Sequence, residues 1–153
     1  MNFMKANELR IGNYVKAPLG EIMRVDQVGH LDFPDYIHAR NETEFGQNGF
    51  EGIELTPEIL EKCGFGLYDN YTDESLGDFI FESYRKWKSK YIYIAIHNRQ
   101  EGGYDCGLSR QLTDVVPVDK IDANSFNVCE LIYLHQLQNI YFALTGEELE
   151  VKL

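Results

Sequence analysis

Four of the chain's fourteen basic residues fall in one short run, Tyr84-Arg85-Lys86-Trp87-Lys88-Ser89-Lys90-Tyr91, among three aromatics. Cations hold phosphates and aromatic rings stack on unpaired bases. Arg85, Lys86, Trp87, Lys88 and Lys90 are therefore the candidate surface for a single-stranded nucleic acid. The competing reading is a hairpin turn whose lysines keep a strand edge soluble. The whole chain favours the second, because 25 acidic against 14 basic residues give a net charge of −11, which repels a polyanion at long range.

Three further groups of residues could do chemistry. Gly102-Gly103-Tyr104-Asp105-Cys106-Gly107 has the glycine content of a phosphate loop or nucleophile turn but lacks the Gly-Lys-Ser/Thr ending, and Cys106 would need His97 or His135 brought to it by the fold. Asp69-Asn70-Tyr71-Thr72-Asp73-Glu74 is acidic enough to suggest calcium. Tyr71, Glu74 and Ile80, however, stand where a helix-loop-helix calcium loop needs an oxygen ligand, a glycine and a bidentate glutamate. His30, Asp32, Asp35 and His38 could ligate a transition metal, yet their spacing matches no helical or strand-based ligand set. Cys63, Cys106 and Cys129 form no Cys-x-x-Cys pair. The sequence thus names no catalytic residue, no metal ligand and no cofactor, and an enzyme is the least supported reading.

The elements that would position these residues read as α+β, an antiparallel sheet with helices. Segments 13–17 and 21–28 alternate as strands about a Pro18-Leu19-Gly20 turn. Such a start suits a small, strongly curved sheet, of which an SH3-like barrel is one form. Residues 29–52, broken by Pro34, Asn41, Gly46, Asn48 and Gly49, read as loop with a short strand near 36–39. Leu55-Thr56-Pro57-Glu58 through Gly64-Phe65 predicts a short helix over about 57–63. Thr56 serves as its N-cap, Pro57 takes the first helical position and Gly64 makes the left-handed exit.

Residues 69–78 read as polar loop, and 79–84 with 91–97 as a hairpin. Ile92, Ile94 and Ile96 fall on one face of its second strand and Tyr91, Tyr93 and Ala95 on the other, which makes that strand central. Residues 100–107 read as loop, 115–118 and 126–129 as short strands, about 132–145 as the longer helix ended by Gly146, and 149–153 as a terminal strand.

That longer helix carries no lysine, arginine, aspartate or glutamate between 133 and 145. Leu134, Leu137, Ile140, Tyr141 and Leu144 form its apolar stripe, and His135, Gln138, Asn139 and Phe142 lie on the other side. A solvated face normally bears charge, so this one is expected to be covered, either by the chain itself or by a partner. His135, Gln138, Asn139 and Phe142 are the candidate partner-binding residues, for an unidentified protein or a second copy.

A length of 153 residues with 44% hydrophobic and 25% charged residues fits a single domain, 1–153, able to bury an ordinary core. No long apolar run opens the chain, so neither a signal peptide nor a membrane helix is expected, and the location expected is cytoplasmic. The stretches Met4-Lys5-Ala6-Asn7-Glu8-Leu9-Arg10-Ile11-Gly12-Asn13-Tyr14-Val15, Gly52 through Phe65, and Leu134-His135-Gln136-Leu137-Gln138-Asn139-Ile140-Tyr141-Phe142-Ala143-Leu144-Thr145-Gly146-Glu147-Glu148-Leu149 resemble short uncharacterised proteins of prophages and mobile elements in gut bacteria. The resemblance implies an origin on a phage or mobile element and a cytoplasmic location in the host, with a start at Met4. It implies no activity. The uncharged helix and the absence of a catalytic constellation make a non-enzymatic accessory protein acting through protein–protein contact the leading expectation, with the nucleic-acid module second.

Overall fold

The computed structural model describes residues 3–89, 92–110 and 126–153. They form an α+β protein with two antiparallel sheets. Two compact units are present, one from Met1–Glu54 with Tyr133–Glu148 and one from Leu55–Ile132 with Leu149–Leu153.

The first unit begins with a 3-10 turn at Ala6–Glu8 and then runs as a meander of β1 (Tyr14–Lys16), β2 (Ile22–His30), β3 (Phe33–Arg40) and β4 (Phe45–Gln47). Beyond β4 the chain returns to β1, where Lys16 and Glu51 exchange both backbone hydrogen bonds at 2.9 Å. The sheet is thus curved back on itself, as the turn-rich start predicts. Alternate residues Val15, Met23, Val25, Ile37 and Ala39 point inward with Met4, Ala6, Leu9 and Phe50. Residues 29–52 hold more strand than their breakers suggest. Gly29 and Pro34 sit at or near strand ends, and the side chain of Asn48 closes the β3–β4 hairpin by accepting from the Ile37 amide at 2.8 Å.

The second unit is led by α1 (Pro57–Lys62). Thr56 caps it as read, with Oγ1 accepting from the Ile59 amide at 3.3 Å. Five strands follow, β5 (Gly66–Asp73), β6 (Phe79–Trp87), β7 (Ile92–Asn98), β8 (Tyr104–Arg110) and β9 (Phe126–Leu131), ordered β5-β6-β7-β8-β9. The central position of β7 agrees with its sequence: Tyr93, Ile94 and Ile96 are fully buried and Ala95 nearly so.

Several expectations need correction. The first half of the acidic stretch 69–78 is strand, since β5 pairs with β6 from Gly66↔Arg85 to Asp73↔Phe79, and Glu74–Leu76 form a 3-10 turn. Its residues are exposed on both faces, so no apolar periodicity marks it. Residues 104–107 belong to β8, where Tyr104 and Cys106 alternate into the core. The terminal strand over 149–153 is not formed. Leu149 is buried, and Lys152 donates one backbone bond to Lys62 O, which anchors the segment without a ladder. The strand expected at 115–118 lies outside the described residues.

The last helix, α2 (Leu134–Thr145), belongs to the first unit. Its entry is set by Tyr133, whose amide donates to Gln136 Oε1 at 2.9 Å. Gly52 faces that ring so closely that a Cβ would sit 2.6 Å from it. Gly146, at φ 72°, ends the helix by donating to Phe142 O.

Candidate functional site

The uncharged face of α2 is covered by the first unit itself. Gln138 is 1% exposed. Its Oε1 accepts from the Tyr14 amide at 2.9 Å, and its Nε2 donates to Gly12 O at 3.2 Å. Asn139 Oδ1 accepts from Asn13 Nδ2 at 3.0 Å, and Asn139 Nδ2 donates to Glu8 O at 3.1 Å. Because β1 is short and its Tyr14 amide points away from β2, a helix amide serves there in place of another strand. His135 is buried against the Tyr133 ring, with Nδ1 lacking a partner among the described residues, and burial holds its pKa down at about 4. Phe142 stays at the surface under the Arg10 guanidinium, 3.9 Å from the ring centroid, and Arg10 also pairs with Glu148 at 2.7 Å. The residues nominated for a partner are thus mostly engaged within this unit, because uncharged amides are what a buried helix–strand joint needs.

The basic-aromatic run is divided by strand alternation. Arg85 and Trp87 share one face of β6, while Lys86 points to the other and donates from Nζ to Cys63 O at 2.6 Å. Burial lowers the pKa of Lys86. Arg85 is 5% exposed and lies between the rings of Tyr68 and Tyr93, at 3.4 and 4.4 Å. Trp87 packs on Tyr93 with centroids 4.7 Å apart, and Lys88 enters the turn. Lys90 lies outside the described residues. Cations split between two faces do not make the single charged track that a phosphate backbone follows.

The same alternation separates Cys106 from His97. Cys106 pairs with Ile96 and Asp105 with His97, so the Cys106 thiol and the His97 ring leave opposite faces of the sheet. Burial pushes both the Cys106 and the Cys63 thiol up to about 12, far from a thiolate nucleophile. His30 Nδ1 accepts from the Asp32 amide in its own turn, and His38 Nδ1 meets Asp26, whose other oxygen is 3.2 Å from Arg40 Nε. Among the described residues no three histidine, cysteine or carboxylate side chains gather as a metal site.

What sequence reasoning missed is the ribbon made by β5 and β6. The two strands pair from Gly66↔Arg85 to Asp73↔Phe79, whereas β7 reaches only Ser83, so the outer half of the ribbon is two-stranded. Where β7 ends, the Asn98 side chain takes its place. Its Oδ1 accepts from the Glu82 amide at 2.8 Å, and its Nδ2 donates to Ile80 O at 2.9 Å. A bare two-stranded ribbon is marginal in water. Here Tyr71 stacks on Phe81 at 4.9 Å, Phe79 meets Phe81 edge-on at 4.7 Å, and Asp73 caps the turn by accepting from the Ser75 amide.

Among the described residues the outer edge of β5 has no strand beside it. The ribbon carries Asp69, Asp73, Glu74, Asp78 and Glu82 with no basic residue from 66 to 84, and exposes Leu67, Tyr71 and Ile80. The signal available in the sequence was the pairing of Phe79 and Phe81 with an aromatic inside a polar stretch. Comparison with protein-family models, curated proteins and solved structures finds no match.

Proposed function

We propose that this is a non-enzymatic accessory protein that works by binding a partner protein, and that β5 receives an extended basic segment of that partner by strand addition. The observation that carries the reading is the eight-residue edge of Gly66–Asp73, exposed on both faces and held out as an acidic ribbon. An unpaired row of amides and carbonyls is a template for another strand, and alternate side chains supply selectivity. The carboxylates decide the occupant. A second copy of β5 would set acid against acid, while a basic strand neutralises Asp69 and its neighbours.

No helix of the described residues is long and apolar enough to cross a membrane. An origin on a phage or mobile element, and action in the host cytoplasm, belong to the same proposal through the resemblance of the terminal stretches.

The test is calorimetric titration of the protein with an octapeptide of alternating lysine and valine, beside a variant carrying Asp69→Lys and Thr72→Lys. Both positions are exposed, and neither side chain makes a hydrogen bond among the described residues. Saturable binding by the parent and its loss in the folded variant support the reading. Equal binding by both proteins, or none by either, contradicts it.

A further inference from the structure

Cys106 on β8 and Cys129 on β9 are register partners. Antiparallel partners point to the same face with Cα atoms about 4.5–5.5 Å apart, inside the roughly 4.4–6.8 Å that a disulfide spans. The register shifts immediately beyond this pair, between Cys106 and Gly107, and such bulges add local twist. Cys106 is fully buried, Cys129 half-buried, and both thiols are free. Cys63 is fully buried at the end of α1, so the chain carries its own control.

We propose that Cys106 and Cys129 form an oxidisable dithiol that closes to a cross-strand disulfide when met by a low-molecular-weight disulfide such as glutathione disulfide. The more accessible Cys129 reacts first. Its thiolate attacks one sulfur of the oxidant, giving a mixed disulfide and releasing one glutathione thiolate. The Cys106 thiolate then attacks the Cys129 sulfur and displaces the second glutathione thiolate. The two protons lost by the protein thiols are taken up by the two glutathione thiolates, and two electrons pass to the oxidant.

Burial holds the Cys106 thiol at about 12 and also raises that of Cys129, so the exchange is slow at neutral pH and accelerates as pH rises. The product ties together the two ends of the segment between β8 and β9. It stabilises the sheet chiefly by restricting the unfolded chain.

The experiment incubates the full, folded chain with excess glutathione disulfide at about pH 8, where exchange is measurable. It then traps free thiols, omits reductant and maps the peptides by mass spectrometry. The expected result is a Cys106–Cys129 linkage, a mass lower by two hydrogens, a Cys63 thiol still free to alkylate after denaturation, an unchanged circular dichroism spectrum, and reversal by dithiothreitol. In Cys106→Ala the reaction should stop at a glutathione adduct on Cys129, and in Cys129→Ser the buried Cys106 should stay unmodified over the same time. Three free thiols in the treated parent, a linkage to Cys63, or a linkage formed only in denaturant would overturn the proposal. Should either variant fail to fold, the map of the parent chain decides alone.

Discussion

Replacing Gln138 with methionine keeps the length of the side chain and removes both of its hydrogen bonds. The Tyr14 amide, held at 2.9 Å, loses the acceptor shown for it, and an unsatisfied buried donor costs about 1–3 kcal/mol. Gly12 O fares better, because Arg24 Nε also donates to it at 3.3 Å, which leaves a loss of about 0.5–1 kcal/mol there. The sum, about 1.5–4 kcal/mol, is a large part of the roughly 5–15 kcal/mol that holds a domain folded. Urea denaturation followed by circular dichroism should show a lower midpoint with an unaltered slope. Amide exchange should show Tyr14 opening more readily than in the parent. A loss below about 0.5 kcal/mol with Tyr14 still protected would refute the claim that α2 completes β1, since a face held only for a partner would leave stability untouched.

Thr56→Ala removes the acceptor for the Ile59 amide and should lower the denaturant midpoint by an amount equivalent to about 1 kcal/mol. His135 is held neutral in the folded protein, with a pKa lowered from 6.5 to about 4. The unfolded chain therefore binds the extra proton between those values, and stability is complete above pH 6.5 and declines as pH falls toward 4. The decline reaches at most about 3 kcal/mol. His135→Phe keeps the ring against Tyr133 and should flatten that slope in denaturation measured from neutral pH downward. Leu137, fully buried, should cost about 2–5 kcal/mol when cut to alanine. Amides of Ile92–Asn98 should be among the slowest to exchange in the second unit, and exchange as fast as that of the 99–103 turn would contradict the central place of β7.

The elements legible in the sequence are those whose signal is local. Thr56, Pro57 and Gly64 frame α1 by capping chemistry alone, and β7 declares itself by apolar residues on both faces. The covered face of α2 was legible from its lack of charge, although nothing in the residues told that Tyr14 and Gly12 would be the groups it meets. β5 was illegible because an edge strand exposed on both faces carries loop-like composition and owes its conformation to β6, a non-local partner. The 149–153 segment shows the reverse error. Alternation promised a strand, but its backbone finds one bond to Lys62 rather than a ladder. The basic run reads along the chain as one surface, whereas β6 sends Arg85 and Trp87 to one face and Lys86 to the other.

The most direct test of β5 as the docking edge is backbone amide exchange followed by NMR, with and without the lysine–valine octapeptide. The account predicts that amides of Gly66–Asp73 pointing away from β6 become protected on binding, while those of β7 and of α2 keep their rates. Binding that leaves every β5 amide unprotected, or that protects residues of α2 instead, would contradict it.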